Sequence, residues 1–172
     1  MLIGALEAGG TKMVCSIGSP QGNVLQRASF PTAAPEVTVP QIVDFISKFE
    51  VEALGIGSFG PLDLNPDSPA YGSITLTPKL EWQGYPLLRE LESRLGVPAE
   101  IDTDVNAAAL AEYQMGAGVG LSSLLYVTVG TGVGVGTGEG VGVAGSGVGV
   151  GGGVVTIGVG VGGSVGVGEG VT

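Results

Sequence analysis

The chain contains no histidine and a single cysteine, Cys15, and these two shortages exclude a good deal of chemistry. Neither a zinc site of the usual Cys/His type nor a Cys–His nucleophile pair can be assembled from it, and one thiol cannot close an intramolecular disulfide. Cations are scarce as well: six Lys and Arg stand against 16 Asp and Glu, for a net charge of -10. The six are not clustered, so the electrostatic footprint of a nucleic-acid or anionic-membrane binder is missing. Neither a nucleic-acid nor a membrane partner is expected. Apolar runs of about 18 residues, the length a membrane helix needs, do not occur outside a tract that Gly interrupts throughout. Met1-Leu2-Ile3-Gly4 lacks the basic segment of a signal peptide, and a cytoplasmic chain is expected.

Other residue types run out partway along the chain. The last Lys or Arg is Arg94, the last Pro is Pro98 and the last aromatic is Tyr126, whereas residues 137–172 hold 16 of the 34 Gly and 11 Val. The chain therefore divides by composition into an ordinary globular segment, 1–136, and a low-complexity Gly/Val tail, 137–172. Alternating Val and Gly has the period of a strand but offers no side chain to pack on the second face, so the tail is expected to be elastin-like and disordered or prone to β self-association. Gly147, Gly149 and Gly152 form a Gly-x-Gly-x-x-Gly with no amphipathic helix after it, a match that composition alone produces.

Within 1–136 the pattern is regular. Leu2–Glu7, Met13–Ile17 and Val24–Phe30 are apolar runs separated by Gly9-Gly10 and Gly22-Asn23, which predicts an antiparallel meander whose first turn uses the positive φ that Gly allows. Pro40 is well placed near the first turn of a helix carrying Ile42, Val43, Phe45, Ile46 and Phe49, and Ala53–Ser58 is a strand. Residues 59–82, rich in Gly, Pro, Asp and Asn, read as a long loop of the kind that carries function. Leu87, Leu88, Leu91 and Leu95 mark a helix stopped by Gly96 and Pro98. A short strand Ala99–Ile101, an Ala-rich helix Val105–Met115 and a buried strand Ser123–Val129 follow. A meander followed by alternating helices and strands predicts an α/β layer architecture with a mixed sheet.

Four segments at strand ends carry the candidate chemistry. In Glu7-Ala8-Gly9-Gly10-Thr11-Lys12 the glycines let backbone N–H groups approach phosphate oxygens, with Thr11 as donor, Lys12 as charge and Glu7 facing a Mg²⁺-bound water; a plain Gly-Gly β-turn is the alternative. Gly130-Thr131-Gly132 repeats the recipe after a second buried strand. Asp104 opens the Ala-rich helix, either as an N-cap or as a general base for a substrate hydroxyl, with Asn106 helping to fix the substrate. The stretch Gly57–Asp63, with Gly60 and Pro61, is a sugar-contacting loop or a turn. Cys15 lies inside a strand and reads as a small core residue. Open α/β sheets bind ligands outside the carboxyl ends of their strands, where these segments converge.

Taken together, Glu7–Lys12, Gly55–Pro61, Tyr71-Gly72 with Thr77-Pro78-Lys79, Thr103–Ala109 and Val129–Gly134 resemble the ROK family of sugar kinases, most of all its bacterial fructokinase branch. The resemblance implies an actin/hexokinase-like (ribonuclease H-like) fold, ATP with Mg²⁺ as cofactors, and a hexose as substrate, fructose becoming fructose 6-phosphate. It assigns Gly9, Gly10, Thr11 and Lys12 to a first phosphate loop, Gly130, Thr131 and Gly132 to a second, and the catalytic base to Asp104. The hexose falls to Gly60, Pro61, Thr103, Asp104 and Asn106, and Glu7 is placed near Mg²⁺ through water. Family members are often homodimers. They also carry a Glu-x-Gly-His segment, a His/Cys zinc motif and a second domain; the resemblance stops near residue 136, where the Gly/Val tail stands instead. The zinc ligands are absent, and the chain as written is expected to be inactive. A non-catalytic sugar or phosphate binding module is the alternative; a ROK-type repressor, which needs a helix-turn-helix before the first hairpin, is not expected.

Overall fold

A computed structural model describes residues 1–129, 133–139, 153–159 and 165–168. The chain forms two compact units, Met1–Asp104 and Val105–Thr172.

The first unit is built on the expected meander. Strands β1 (Leu2–Ala8), β2 (Lys12–Gly18) and β3 (Val24–Pro31) pair antiparallel in sequence order. β4 (Val51–Ser58) then pairs parallel with β1, and β5 (Ala99–Thr103) parallel with β4, so that the sheet has the order β3-β2-β1-β4-β5. Strand alternation puts Leu6, Ala8, Met13, Cys15, Ile17, Leu54, Ile56, Ala99 and Ile101 on one face, all of them buried. Against that core pack α1 (Pro35–Ile46), through Val39, Ile42 and Ile46, and α2 (Leu87–Leu95), through Leu87, Leu88 and Leu91. Their helical spacing supplies the apolar stripe that covers one sheet face.

Two local expectations need correction. α1 starts at Pro35, not near Pro40. Pro35 occupies the first turn, where a missing N–H costs nothing, and Pro40 sits inside the helix, where it withdraws one bond from the carbonyl of Glu36, an exposed residue that water can serve. The Gly9-Gly10 turn does not use positive φ either; among the described glycines only 22, 72, 84, 96 and 120 do. Gly9 is required by close approach instead, since a Cβ there would lie 2.6 Å from the carbonyl oxygen of Lys12. The helix stop is as expected: Gly96 has φ 68° and its N–H bonds to the Glu92 carbonyl.

The long connection 59–82 is built structure. Leu62 and Ile74 form an antiparallel bridge, the Asp63 N–H donates to Ser73 O at 2.9 Å, and the Thr75 N–H donates to Pro61 O at 2.8 Å. Ile74 and Trp82 are buried in the main core. Trp82 sits in a short 3₁₀ turn, Leu80–Trp82, edge-on to Phe59 and Tyr85, and its Nε1–H donates to Ala33 O at 2.8 Å. One aromatic thus ties the connection to the segment leading into α1.

In the second unit, α3 runs from the boundary residue Asp104 to Met115 and is followed by β6 (Ser123–Val129), the strand expected there, and β7 (Val133–Glu139). The described parts of the Gly/Val tract after these are also strands, β8 (Gly153–Val159) and β9 (Val165–Gly168), and the antiparallel order is β7-β6-β8-β9. Period-two alternation has here taken the conformation that matches it.

Candidate active site

Register decides where the site lies. Ala8 at the end of β1 is level with Ser58 at the end of β4, and Ser58 with Thr103 at the end of β5. Parallel neighbours are about 4.8 Å apart, so three chain segments leave the sheet side by side within about 10 Å. From β1 comes the turn 9–12; from β4 come Phe59, Gly60 and Pro61; from β5 comes Asp104, the first residue of α3. The Phe59 N–H donates to the Ala8 carbonyl at 2.7 Å, joining the first two segments beyond the last strand pair.

The turn is open and its donors are unspent. Gly9 N–H bonds to Lys12 O at 3.0 Å, and Gly9 O accepts the Thr32 hydroxyl at 2.7 Å. Thr11 O accepts the Thr32 N–H at 2.9 Å, so Thr32 holds the turn from β3's far end. Among the described residues no acceptor takes the N–H of Gly10 or Thr11. Gly10, Thr11 and Lys12 are exposed. Consecutive outward N–H groups of this kind make a concavity for an anion. Glu7 is also exposed, on the sheet face opposite the α1 and α2 core.

The other expected residues are placed as follows. Gly60 is half-buried and Pro61 exposed, joined by a cis peptide bond. Thr103 is half-buried, its N–H donating to Asp102 Oδ1 at 2.6 Å. Asp104 is exposed, in the first turn of α3. Asn106, in the second unit, is buried at 3% exposure. Gly130, Thr131 and Gly132 lie outside the described residues, between β6 and β7. Cys15 is the core residue expected: it is fully buried, and burial pushes its thiol up to about 12, which keeps it protonated and unreactive.

A lysine from the connection 59–82 also reaches the turn. The Cε of Lys79 lies 3.9 Å from the point a Cβ on Gly10 would occupy. The sequence carried the segment Thr77-Pro78-Lys79, but nothing in its spacing tells that the connection 59–82 folds back onto the first hairpin.

A mixed five-stranded sheet with an open, donor-rich turn at the end of β1 and a helix N-terminal carboxylate at the end of β5 is the frame of the actin/hexokinase-like sugar kinases. The ROK family model matches residues 3–154, and the chain belongs to the ROK family. It is 47% identical over 116 residues to a fructokinase from Pediococcus pentosaceus, covering 67% of this chain and 40% of that one. It is 41% identical over 109 residues to a fructokinase from Lactococcus lactis subsp. cremoris, covering 63% and 38%. Among solved structures, a ROK family glucokinase from Streptomyces griseus in complex with glucose and AMPPNP is similar at TM-score 0.67 and 32% identity, over 84% of this chain and 46% of that one. The chain spans about 40% of the length of the fructokinases it matches. The family match begins inside β1 and continues past the compositional break at 136.

Among the described residues no three His, Cys, Asp or Glu side chains gather to hold a metal, and no helix is long and apolar enough to cross a membrane. Zinc does not fit this chain, which has no His and whose one Cys is buried. Magnesium imposes a lighter demand, since it is commonly held by one or two carboxylates together with substrate phosphates. The exposed Glu7, two residues before Gly9 of the phosphate-type turn, fits that pattern.

Proposed function

We propose that this chain carries the phosphate-loop and general-base half of an ATP-dependent hexose kinase whose reaction is fructose to fructose 6-phosphate, and that the chain as written, lacking the other half, is inactive. The observation that supports it most is the level register of Ala8, Ser58 and Thr103, which sets the turn 9–12, Gly60-Pro61 and Asp104 at one sheet edge. In this reading Gly9, Gly10, Thr11 and Lys12 hold the terminal phosphates of ATP, and Gly130, Thr131 and Gly132 form the second phosphate loop. Gly60, Pro61, Thr103 and Asn106 orient the hexose. Residues 1–136 are the kinase-like domain and 137–172 a tail. A cytoplasmic homodimer is the assembly this reading implies.

Phosphoryl transfer requires little covalent chemistry of the protein; positioning and charge stabilisation carry most of it. Asp104 accepts the proton of the attacking hydroxyl as the new O–P bond forms and the bond to the departing ADP breaks. Its exposed place at the N-terminus of α3 leaves it open to an incoming hydroxyl. Thr11 and the free N–H groups of the turn orient the phosphate oxygens, and Lys12 offsets their charge. Glu7 would hold Mg²⁺ through water, and the ion would supply neutralisation of phosphate charge.

A coupled ADP-release assay with fructose, glucose and mannose tests the reaction, and calorimetric titration with fructose and with ATP and Mg²⁺ tests the site. Turnover on fructose comparable with that of a full-length kinase overturns the expected inactivity, and Asp104→Asn should then lower kcat by about 10²- to 10⁴-fold with ATP binding retained. Binding of both ligands without turnover favours a binding module; a chain that binds neither overturns the assignment.

A further inference from the structure

We propose that Lys79 is a second phosphate-binding cation of the Gly9–Gly10 turn, so that a polyphosphate chain lies over Gly10 between Lys12 and Lys79. This rests on the reading of that turn as a phosphate loop and adds to it a residue from a different part of the fold. Two of only six Lys and Arg in a chain of net charge -10 converge on one turn. Neither is neutralised: the ion pairs among the described residues are Met1–Glu52 and Glu90–Arg94. Two lysines outside any ion pair with a described residue, Lys12 in the turn and Lys79 with its Cε beside Gly10, together with two unspent backbone N–H donors, make a donor set that favours a compact polyanion.

The backbone of Lys79 is fixed on both sides. Its N–H donates to the Oγ1 of Thr77, itself buried at 6% exposure, at 3.4 Å. Its carbonyl accepts the Trp82 N–H at 2.9 Å. Trp82 is anchored in turn by its bond to Ala33 O and by its two ring neighbours. Little conformational freedom therefore remains to be lost beyond the lysine stem when an anion binds, which is the condition under which a single charge-assisted contact contributes measurably. Gly10 itself contributes no side chain there, and a Cβ on it would have the Lys79 Cε as its neighbour at 3.9 Å.

The test is calorimetric titration of the chain, with and without Lys79→Met, Lys79→Arg and Lys12→Met, using sodium tripolyphosphate and ATP as separate probes at low and high salt. Lys79→Met should weaken both probes about tenfold, the loss expected for one hydrogen bond to a charged group. Lys79→Arg should retain most of the affinity. The difference should shrink at high salt, as screening predicts, while fructose affinity and Tm stay unchanged. Unchanged tripolyphosphate affinity in Lys79→Met, with Lys12→Met weakened, overturns the role of Lys79 and leaves the phosphate loop standing. A loss confined to ATP overturns it too, because the contact would then not be to phosphate. Equal losses in Lys79→Met and Lys79→Arg with a lowered Tm mark a packing role and overturn it. Failure of the unsubstituted chain to bind either probe overturns the phosphate-loop reading itself, and the proposal with it.

Discussion

At the scale of single residues, the two glycines of the first turn do different work. A Cβ on Gly9 would meet the Lys12 carbonyl oxygen at 2.6 Å, while one on Gly10 would meet only the Cε of Lys79 at 3.9 Å, an ordinary contact with a flexible side chain. Gly9→Ala should therefore destabilise the chain by about 1–3 kcal/mol, the range for a forced overlap, whereas Gly10→Ala should leave the urea midpoint nearly unchanged. If both variants melt alike, close approach is not what selects glycine at position 9. Cys15 supports a second residue-level prediction. Its thiol titrates near 12 when folded and near 8.5 when unfolded, so the folded state holds the proton more tightly. The stability this contributes is fully present below about pH 8.5 and is lost as the pH rises through the folded value near 12. Urea titrations from pH 8 upward should show stability falling, with Cys15→Ala falling less steeply. A thiol reagent should label the native chain slowly and the unfolded chain at once. Neither the burial of Cys15 nor the special role of Gly9 needed the structure to be suspected; the reason for Gly9 did, because close approach and positive φ select the same amino acid.

At the scale of elements, the connection 59–82 departs most from its sequence. Gly, Pro, Asp and Asn mark it as loop, and it is one in the sense of lacking long helices or strands. Yet Ile74 and Trp82 are core residues, Gly72 with φ 78° packs its backbone onto Leu88, and Asp63 accepts both the Asn65 N–H and the Ser68 hydroxyl. Trp82 is the pin. Trp82→Phe keeps most of the ring but loses the bond to Ala33 O, and should cost about 1 kcal/mol; Trp82→Ala should cost about 3–5 kcal/mol. Denaturant titration reads both, and equal costs would show that ring volume is immaterial there. α1 starts at Pro35 rather than near Pro40 for a related reason. Two prolines lie five positions apart, local rules favour either as the first turn, and the burial of Thr38 and Val39 against the sheet selects Pro35.

At the scale of the whole molecule, order within the five-stranded sheet sets which backbone is best protected. β1 is bonded to β2 on one side and β4 on the other, whereas β3 is an edge strand with Val24 and Leu25 63% and 58% exposed. Hydrogen exchange should be slowest for the amides of β1 and β4 and fastest, among these strands, for β3, since local opening follows burial and bonding; equal protection of β1 and β3 would contradict this sheet order. Several features were legible from the residues alone: the meander, the two amphipathic helices, the strand Ser123–Val129, the Gly96 stop and the segments at strand ends. Each is a matter of period, composition or a turn residue, and these act over a few neighbours along the chain. Absences were equally informative, since a chain without His and with one Cys cannot assemble a zinc site of the usual Cys/His type. What only tertiary structure decided is which of those segments meet. Register aligned Ala8, Ser58 and Thr103, an indole N–H drew the connection 59–82 onto the start of α1, and Lys79 was thereby placed beside Gly10. Contacts between residues far apart in sequence leave no periodic trace, because they are chosen by the packing of the whole sheet and its helices.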